Sequence, residues 1–176
     1  MPKVHHVKKA QKARPAYGIE VGDSYYHWTF NYGRLHCSKT YPKQSQLTQS
    51  PFLGGMYSIQ EDMAEAPSDA GLEDFRNGIT ERVRGLGDEC QTSLDNMPKQ
   101  LQEGDTGQLL RERIEAMEGW ADELESIELE NPDDETLIEE NDIDVDDEDA
   151  EDEIAAAREE YWLRKQEEFQ ACESQI

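Results

Sequence analysis

Lysine and arginine are scarce over most of this chain. Of the 17 basic residues, eight lie within the first 46 positions, and residues 122–153 contain nineteen carboxylates with no lysine or arginine. The formal net charge of −24 is therefore unevenly divided between a basic N-terminal segment and a strongly acidic remainder. Like charges that are grouped in this way repel one another and contribute nothing to a hydrophobic core. The distribution therefore indicates two surfaces for different partners.

Apolar residues and cysteines are also few. Apolar residues make up 35% of the chain and charged residues 33%. This composition favours an elongated, partly helical protein with a disordered stretch, and it disfavours a single thick core. No window is apolar and long enough for a signal peptide or a membrane span. Three cysteines, odd in number and far apart, argue against a disulfide framework. We expect a soluble intracellular protein.

Alternating aromatic residues near the N-terminus predict a β-hairpin. The two runs, residues 25–32 and 34–40, flank Gly33, and the predicted register pairs Phe30 with Leu35. That register gathers the apolar side chains on one face: Tyr26, Trp28, Phe30, Leu35 and Cys37. We expect this face to be buried and the opposite face to be wet.

A third strand and a helix complete this N-terminal unit in the prediction. Two strands alone are marginally stable, so residues 4–12 are predicted as the third strand. Ser50 before Pro51 is a typical N-cap and first-turn pair. Apolar residues then follow at helical spacing: Phe52, Met56, Ile59 and Met63. The sequence therefore predicts a basic domain over residues 1–66, a small three-stranded antiparallel sheet with one helix.

Two apolar stripes at helical spacing follow. The first runs through residues 72–97 and the second through residues 110–124. A short connector between such stripes predicts an extended antiparallel helical hairpin over residues 68–129. The stripes could close within one chain or across a homodimer.

The C-terminal third combines an acidic run with a helix. Residues 130–152 are predicted to be a disordered acidic linker, because repulsion opposes compaction and no apolar period opposes the repulsion. Strong helix formers then predict a C-terminal helix over residues 153–173. The fold class expected for the whole chain is α+β.

No metal, cofactor or catalytic site is predicted. Four acidic residues match positions 1, 3, 5 and 12 of a calcium loop: Asp142, Asp144, Asp146 and Glu153. Asp147, however, stands where the sharp turn of that loop requires glycine. His27 and His36 could approach each other, but two ligands do not close a zinc site. Without a phosphate loop or a nucleophile motif, we expect no enzyme activity.

The segment "SYYHWTFNYGRLHCSKTYP" at residues 24–42 resembles the arm-binding domain at the N-terminus of phage integrases. The shared features are Trp28 in the second strand, Gly33 with Arg34 at the hairpin tip, and "SKT" at the end of the third strand. The catalytic constellation of an integrase does not follow. The chain as a whole, with "SKTYPKQSQLTQSPF" and "LDNMPKQLQEGDTGQLLRERIEAMEGWADELE", resembles small uncharacterised proteins of tailed phages. This resemblance implies a phage origin and the host cytoplasm as location.

The first functional hypothesis rests on the acidic residues. Duplex DNA carries about one negative charge per 1.7 Å of axis, a density that carboxylates along a helical body approximate. We therefore expect an interaction protein that binds and inhibits a DNA-acting host defence protein, with DNA mimicry as the mechanism. The expected acidic contacts are Asp133, Asp134, Glu135, Glu139, Glu140, Asp142, Asp144, Asp146, Asp147, Glu148 and Asp149. The candidate aromatic anchors are Trp120, Tyr161 and Trp162. Packing of the C-terminal helix is the simpler explanation for Tyr161 and Trp162.

The alternative hypothesis is a DNA-binding accessory factor. In it the basic N-terminal sheet contacts DNA, and the acidic tail is autoinhibitory because it competes for the same cations. The candidate DNA contacts are Lys3, Lys8, Lys9, Lys12, Arg14, Arg34, Lys39 and Lys43. A basic face that simply pairs with the chain's own acidic tail explains the same residues.

Overall fold

The computed structural model of the protein describes residues 1–31, 33–145 and 149–172. Within these residues the chain forms one three-stranded antiparallel sheet and six α-helices, which confirms the α+β class. The chain divides into two compact units, Met1–Glu61 and Asp62–Ile176, called the N-terminal unit and the acidic unit below. The division falls slightly earlier than the predicted domain end at residue 66.

The sheet consists of β1 (His5–Val7), β2 (Tyr25–Thr29) and β3 (Leu35–Ser38), in the order β1-β2-β3. The expected third strand is therefore present, although it is much shorter than residues 4–12. The turn between β2 and β3 contains Tyr32, which lies outside the described residues.

The register of the hairpin differs by one residue from the predicted one. Thr29 pairs with Leu35 and His27 with Cys37, whereas the prediction paired Phe30 with Leu35. Phe30 belongs to the loop instead, where its carbonyl oxygen accepts a hydrogen bond from the Gly33 N–H at 2.9 Å. The predicted register was wrong because it assumed a tighter turn, and a slip of one residue exchanges the faces of a strand.

This register places buried aromatic side chains on both faces of the sheet. Tyr25 packs in a small apolar cluster on the face that carries Cys37; the fully buried members are Ala10, Ile19, Tyr25 and Cys37. Trp28, on the opposite face, is only 3% exposed. Its indole N–H donates to the carbonyl oxygen of Gln46 at 3.2 Å. The expected division into one core face and one wet face is therefore corrected.

Helix α1 (Pro51–Met63) follows a short 3-10 helix at Gln44–Leu47. The Leu53 N–H donates to the Ser50 hydroxyl at 3.4 Å, which is the predicted N-cap. The 3-10 helix is tied to α1 because the N–H and the hydroxyl of Ser45 both donate to the Glu61 carboxylate, at 2.9 and 2.7 Å. The predicted apolar stripe of α1 is buried: Phe52, Met56, Ile59 and Met63.

The helical hairpin of the acidic unit consists of α2 (Leu72–Asp95) and α4 (Asp105–Ser126), joined through the short α3 (Lys99–Gln102). The start of α2 lies beside the end of α4, since the Arg76 guanidinium donates to the Ile127 carbonyl oxygen at 2.6 Å. The helices are therefore antiparallel, as predicted. Their stripes are buried within one chain: Leu72, Ile79, Val83, Cys90 and Leu94 on α2, and Met117, Ala121 and Leu124 on α4.

A further helix, α5 (Asp134–Asn141), lies inside the segment predicted to be disordered. Its Leu137 side chain is 1% exposed. An isolated helix of eight residues is marginal in water, so burial of this side chain is what makes the helix stable here. The prediction of a disordered linker over residues 130–152 was therefore wrong for residues 134–141.

The last helix, α6 (Ala150–Ala171), packs within the acidic unit. Phe169 is fully buried and meets the Phe75 ring of α2 edge to face, with 5.9 Å between ring centroids. The Trp120 indole of α4 donates to the Cys172 carbonyl oxygen at 3.3 Å, and the Gln166 side-chain amide donates to the Ala66 carbonyl oxygen. The predicted C-terminal helix is thus part of a larger unit.

No helix in the described part of the chain is both long and apolar enough to cross a membrane.

Replacement of Phe169 by alanine tests how far the acidic unit depends on α6. We expect Phe169→Ala to lower the free energy of unfolding by about 3–5 kcal/mol, because it leaves a cavity against Phe75. Leu163→Ala is the control on the same helix, since Leu163 is 50% exposed, and its cost should stay within about 0.5 kcal/mol. Urea denaturation followed by circular dichroism measures both. Equal losses would contradict this packing.

Candidate interaction surfaces

The predicted acidic contacts lie mostly on and around α5. Eight of the eleven are exposed residues of the described chain: Asp133, Asp134, Glu135, Glu139, Glu140, Asp142, Asp144 and Asp149. The other three, Asp146, Asp147 and Glu148, lie outside the described residues. We use the term acidic edge for the carboxylates of residues 130–144.

Two side chains of α6 hold the backbone of the acidic edge. The Tyr161 hydroxyl donates to the Glu130 carbonyl oxygen at 2.8 Å. The Arg158 guanidinium donates to the Pro132 carbonyl oxygen at 3.5 Å and forms an ion pair with the Asp134 carboxylate. Together with the burial of Leu137, these contacts, called the Arg158–Tyr161 clasp below, fix the segment that leads into α5.

Both ends of α5 are defined by aspartates. An oxygen of the Asp133 side chain accepts from the Thr136 N–H at 2.8 Å, and this backbone hydrogen bond, with one from the Thr136 side chain, lowers the pKa of Asp133. Asp142 follows the helix with a left-handed backbone (φ 53°), and its N–H donates to the Ile138 carbonyl oxygen. Aspartate is among the residues that tolerate this conformation best, so acidic side chains here also determine where the helix begins and ends.

The outward charges of α5 work against the helix that carries them. Glu135 and Glu139 are four residues apart, a spacing at which like charges destabilise a helix. Glu140 adds a third exposed carboxylate on the same helix. The helix therefore persists through its docking onto α6, and it presents these carboxylates on a fixed support.

Two of the three predicted aromatic anchors are core residues instead. Trp120 and Trp162 are 2% and 5% exposed, so neither ring is available to a partner. Aromatic rings offer the largest apolar area per residue, and a unit with few apolar residues uses them for its own packing. The third predicted anchor, Tyr161, is half-buried and meets the Trp162 ring edge to face. Its hydroxyl forms the hydrogen bond to the Glu130 carbonyl oxygen that is part of the Arg158–Tyr161 clasp.

The predicted cations of the N-terminal unit are almost all at the surface. Seven are exposed: Lys3, Lys8, Lys9, Lys12, Arg34, Lys39 and Lys43. Arg14 is half-buried, with its guanidinium 5.7 Å from the centre of the Tyr25 ring. Lys39 pairs with Asp23 at 2.9 Å; the pKa of Asp23 is lowered first by a hydrogen bond from the Glu20 backbone and then by Lys39.

Stacked rings connect the strands of the sheet, and sequence reasoning missed them. All four histidines lie in strands. His5 stacks on His27 with 5.1 Å between centroids, His6 on Tyr26 with 4.6 Å, and His36 on Trp28 with 5.5 Å. The sequence predicts that His5 and His6 point to opposite faces, but the stacks depend on the register between β1 and β2, for which no local signal exists.

Acidification should weaken the fold around His27. Burial, followed by the charges of His5 and Arg14, lowers the pKa of His27 below its usual value of about 6.5. As the pH falls below that value, the unfolded chain binds the proton first, so the native state loses stability until the pH passes the lower, folded pKa. Glutamine does not titrate in this range. As the pH is lowered from about 7.5 to about 5.5, the free energy of unfolding of His27→Gln should therefore rise relative to that of the parent protein.

Amide hydrogen exchange of β2, measured for both proteins at the two pH values, checks this prediction. A difference in stability between parent and variant that is the same at both pH values would contradict it.

The cysteines and the possible metal ligands of the described residues are the candidate sites for covalent or metal chemistry. Among them, no group of three or more histidine, cysteine, aspartate or glutamate side chains has an arrangement suited to a metal ion. Burial raises the pKa of the thiols of Cys37, Cys90 and Cys172, in the last case to about 11. Thiols of this kind stay protonated near neutral pH and are poor nucleophiles.

Comparison of the chain with models of known protein families, with curated proteins and with solved structures finds no match. The resemblance of residues 24–42 to integrase arm-binding domains therefore stays a prediction.

Proposed function

We propose that the protein is a non-enzymatic phage interaction protein whose acidic edge binds a DNA-acting protein in the host cytoplasm and inhibits it. The partner would present a basic surface that normally holds duplex DNA, and the acidic edge would occupy that surface as a DNA mimic. The observation that supports this proposal is that α5, in spite of its charge, is a capped and docked helix.

The charge of the acidic unit is suited to such a partner. Residues 62–176 contain 38 carboxylates against nine lysines and arginines. Duplex DNA attracts proteins through a similarly dense and one-signed array of charges. Long-range attraction between opposite charges raises the rate at which two proteins meet, and it allows an inhibitor to compete with DNA for the same cations.

The support beneath the charges favours mimicry over a merely solubilising tether. A flexible acidic tether loses conformational freedom when it binds, and this loss subtracts from the affinity. The Arg158–Tyr161 clasp and buried Leu137 have already ordered residues 130–137 in the free protein. Binding by the acidic edge would therefore require less ordering than binding by an extended acidic tail.

Neutralisation of α5 tests whether these carboxylates bind the partner. The variant Glu135→Gln/Glu139→Gln/Glu140→Gln removes three charges without shortening any side chain. Its control, Glu112→Gln/Glu115→Gln/Glu118→Gln, removes three exposed charges from α4. Each immobilised protein is incubated with host lysate at low salt, and the column is then washed with a duplex oligonucleotide.

Proteins with DNA-binding surfaces should be retained by the parent and by the α4 variant, and the duplex should displace them. The α5 variant should retain at least tenfold less, because the electrostatic attraction at the contact is lost. Retention that duplex DNA does not displace, or that falls equally in both variants, would contradict the proposal that the acidic edge is a specific binding surface.

Removal of the Tyr161 hydroxyl tests whether the Arg158–Tyr161 clasp contributes to binding of the partner. Tyr161→Phe keeps the ring and every carboxylate but removes the hydrogen bond to Glu130. A lost hydrogen bond costs about 0.5–1.5 kcal/mol, so amides of α5 should exchange several-fold faster with solvent. Retention of the same lysate proteins should weaken although the net charge is unchanged. Unchanged retention together with faster exchange would show that the acidic segment acts as a flexible chain.

A further inference from the structure

Three exposed or half-exposed rings lie together on the sheet of the N-terminal unit. His6 of β1 stacks on Tyr26 of β2, with 4.6 Å between centroids and 19° between ring planes. Tyr41, which follows β3, meets Tyr26 edge to face at 5.4 Å. We use the term aromatic patch for these three residues. It contains side chains from three separate parts of the chain.

The aromatic patch is the open part of a partly covered sheet face. Trp28 lies on the same face as Tyr26, two residues along β2, but it is buried and hydrogen-bonded to Gln46. Tyr41 is 63% exposed. Large rings are normally buried or packed, and a group of them at the surface indicates a contact with another molecule.

The surroundings of the patch are basic. Five exposed lysines lie within three residues of His6 or Tyr41 along the chain: Lys3, Lys8, Lys9, Lys39 and Lys43. The N-terminal unit as a whole has eight lysines and arginines against three carboxylates. Two of these carboxylates already have partners within the unit, since Asp23 pairs with Lys39 and Glu61 accepts from Ser45. The charge of this surface is therefore complementary to a polyanion.

We propose that the aromatic patch and its flanking lysines bind single-stranded nucleic acid. An unpaired base stacks on the exposed ring of Tyr41, and the lysines contact phosphates on either side of that base. A single strand fits better than a duplex, because the faces of paired bases are already covered by their neighbours and cannot stack on a protein ring. This proposal is independent of the acidic edge and of its partner.

The same arrangement predicts how binding depends on salt. Each lysine that contacts a phosphate releases a counterion, and for single strands the logarithm of the affinity falls with a slope of about 0.7 per contact. Contacts by three to five of the lysines would give a slope of about −2 to −3.5. Stacking contributes an additional term that salt changes little, so some affinity should remain when the electrostatic part is screened.

Fluorescence anisotropy with the full chain tests the proposal. The probes are a labelled oligothymidine of about 20 nucleotides and a labelled duplex of the same length, both at about 50 mM salt. We expect the single strand to bind more tightly than the duplex. Tyr41→Leu should weaken binding of the single strand roughly tenfold, which corresponds to the loss of one base stack. Tyr41→Phe should bind as the parent does, because it keeps the ring.

A matched pair of lysine variants separates local from overall charge. Lys8→Gln should weaken binding and make the salt slope less steep by about 0.7, whereas Lys99→Gln, an exposed lysine of the acidic unit, should change neither. The proposal is overturned if the duplex binds as tightly as the single strand, if Tyr41→Leu binds like the parent, or if the full chain binds neither probe.

Discussion

Repulsion among carboxylates is the constraint on which the structure of the acidic unit depends. With so few apolar residues, the unit concentrates its burial in the seam between α2 and α4 and in the docking of α6. Three of its arginines cross-link distant segments: Arg76 reaches the Ile127 carbonyl, Arg84 pairs with Glu125, and Arg158 pairs with Asp134. These three cations join elements, and most carboxylates of the described unit are exposed.

The elements that sequence reasoning predicted are those with a long apolar period. The stripe through residues 72–97 and that of α1 extend over several turns, so each has one possible buried face. Helix α5 has no such period, since it buries mainly Leu137. It depends on Arg158 and Tyr161, whose contacts join residues 24 to 31 positions apart in the chain. A local window shows only the repulsion at α5 and therefore favours disorder.

The candidate surfaces were predictable to different degrees for the same reason. Exposed charges such as Lys8 and Glu139 follow directly from composition, because water is the default environment of a charged side chain. Whether an aromatic ring is buried or exposed depends on tertiary contacts. Trp120 was a candidate partner anchor and lies in the core, whereas Tyr41 is among the most exposed rings of the described chain.

The Arg158–Tyr161 clasp has a consequence for how this protein can evolve. Both residues bind main-chain carbonyl oxygens of the acidic segment, at Pro132 and Glu130, and every amino acid supplies such an oxygen. Apart from Asp133, Asp134, Leu137 and Asp142, the identities of the side chains in residues 130–144 are therefore less constrained by the fold. Successive substitutions can therefore change the outward pattern of charges while the scaffold beneath it is preserved.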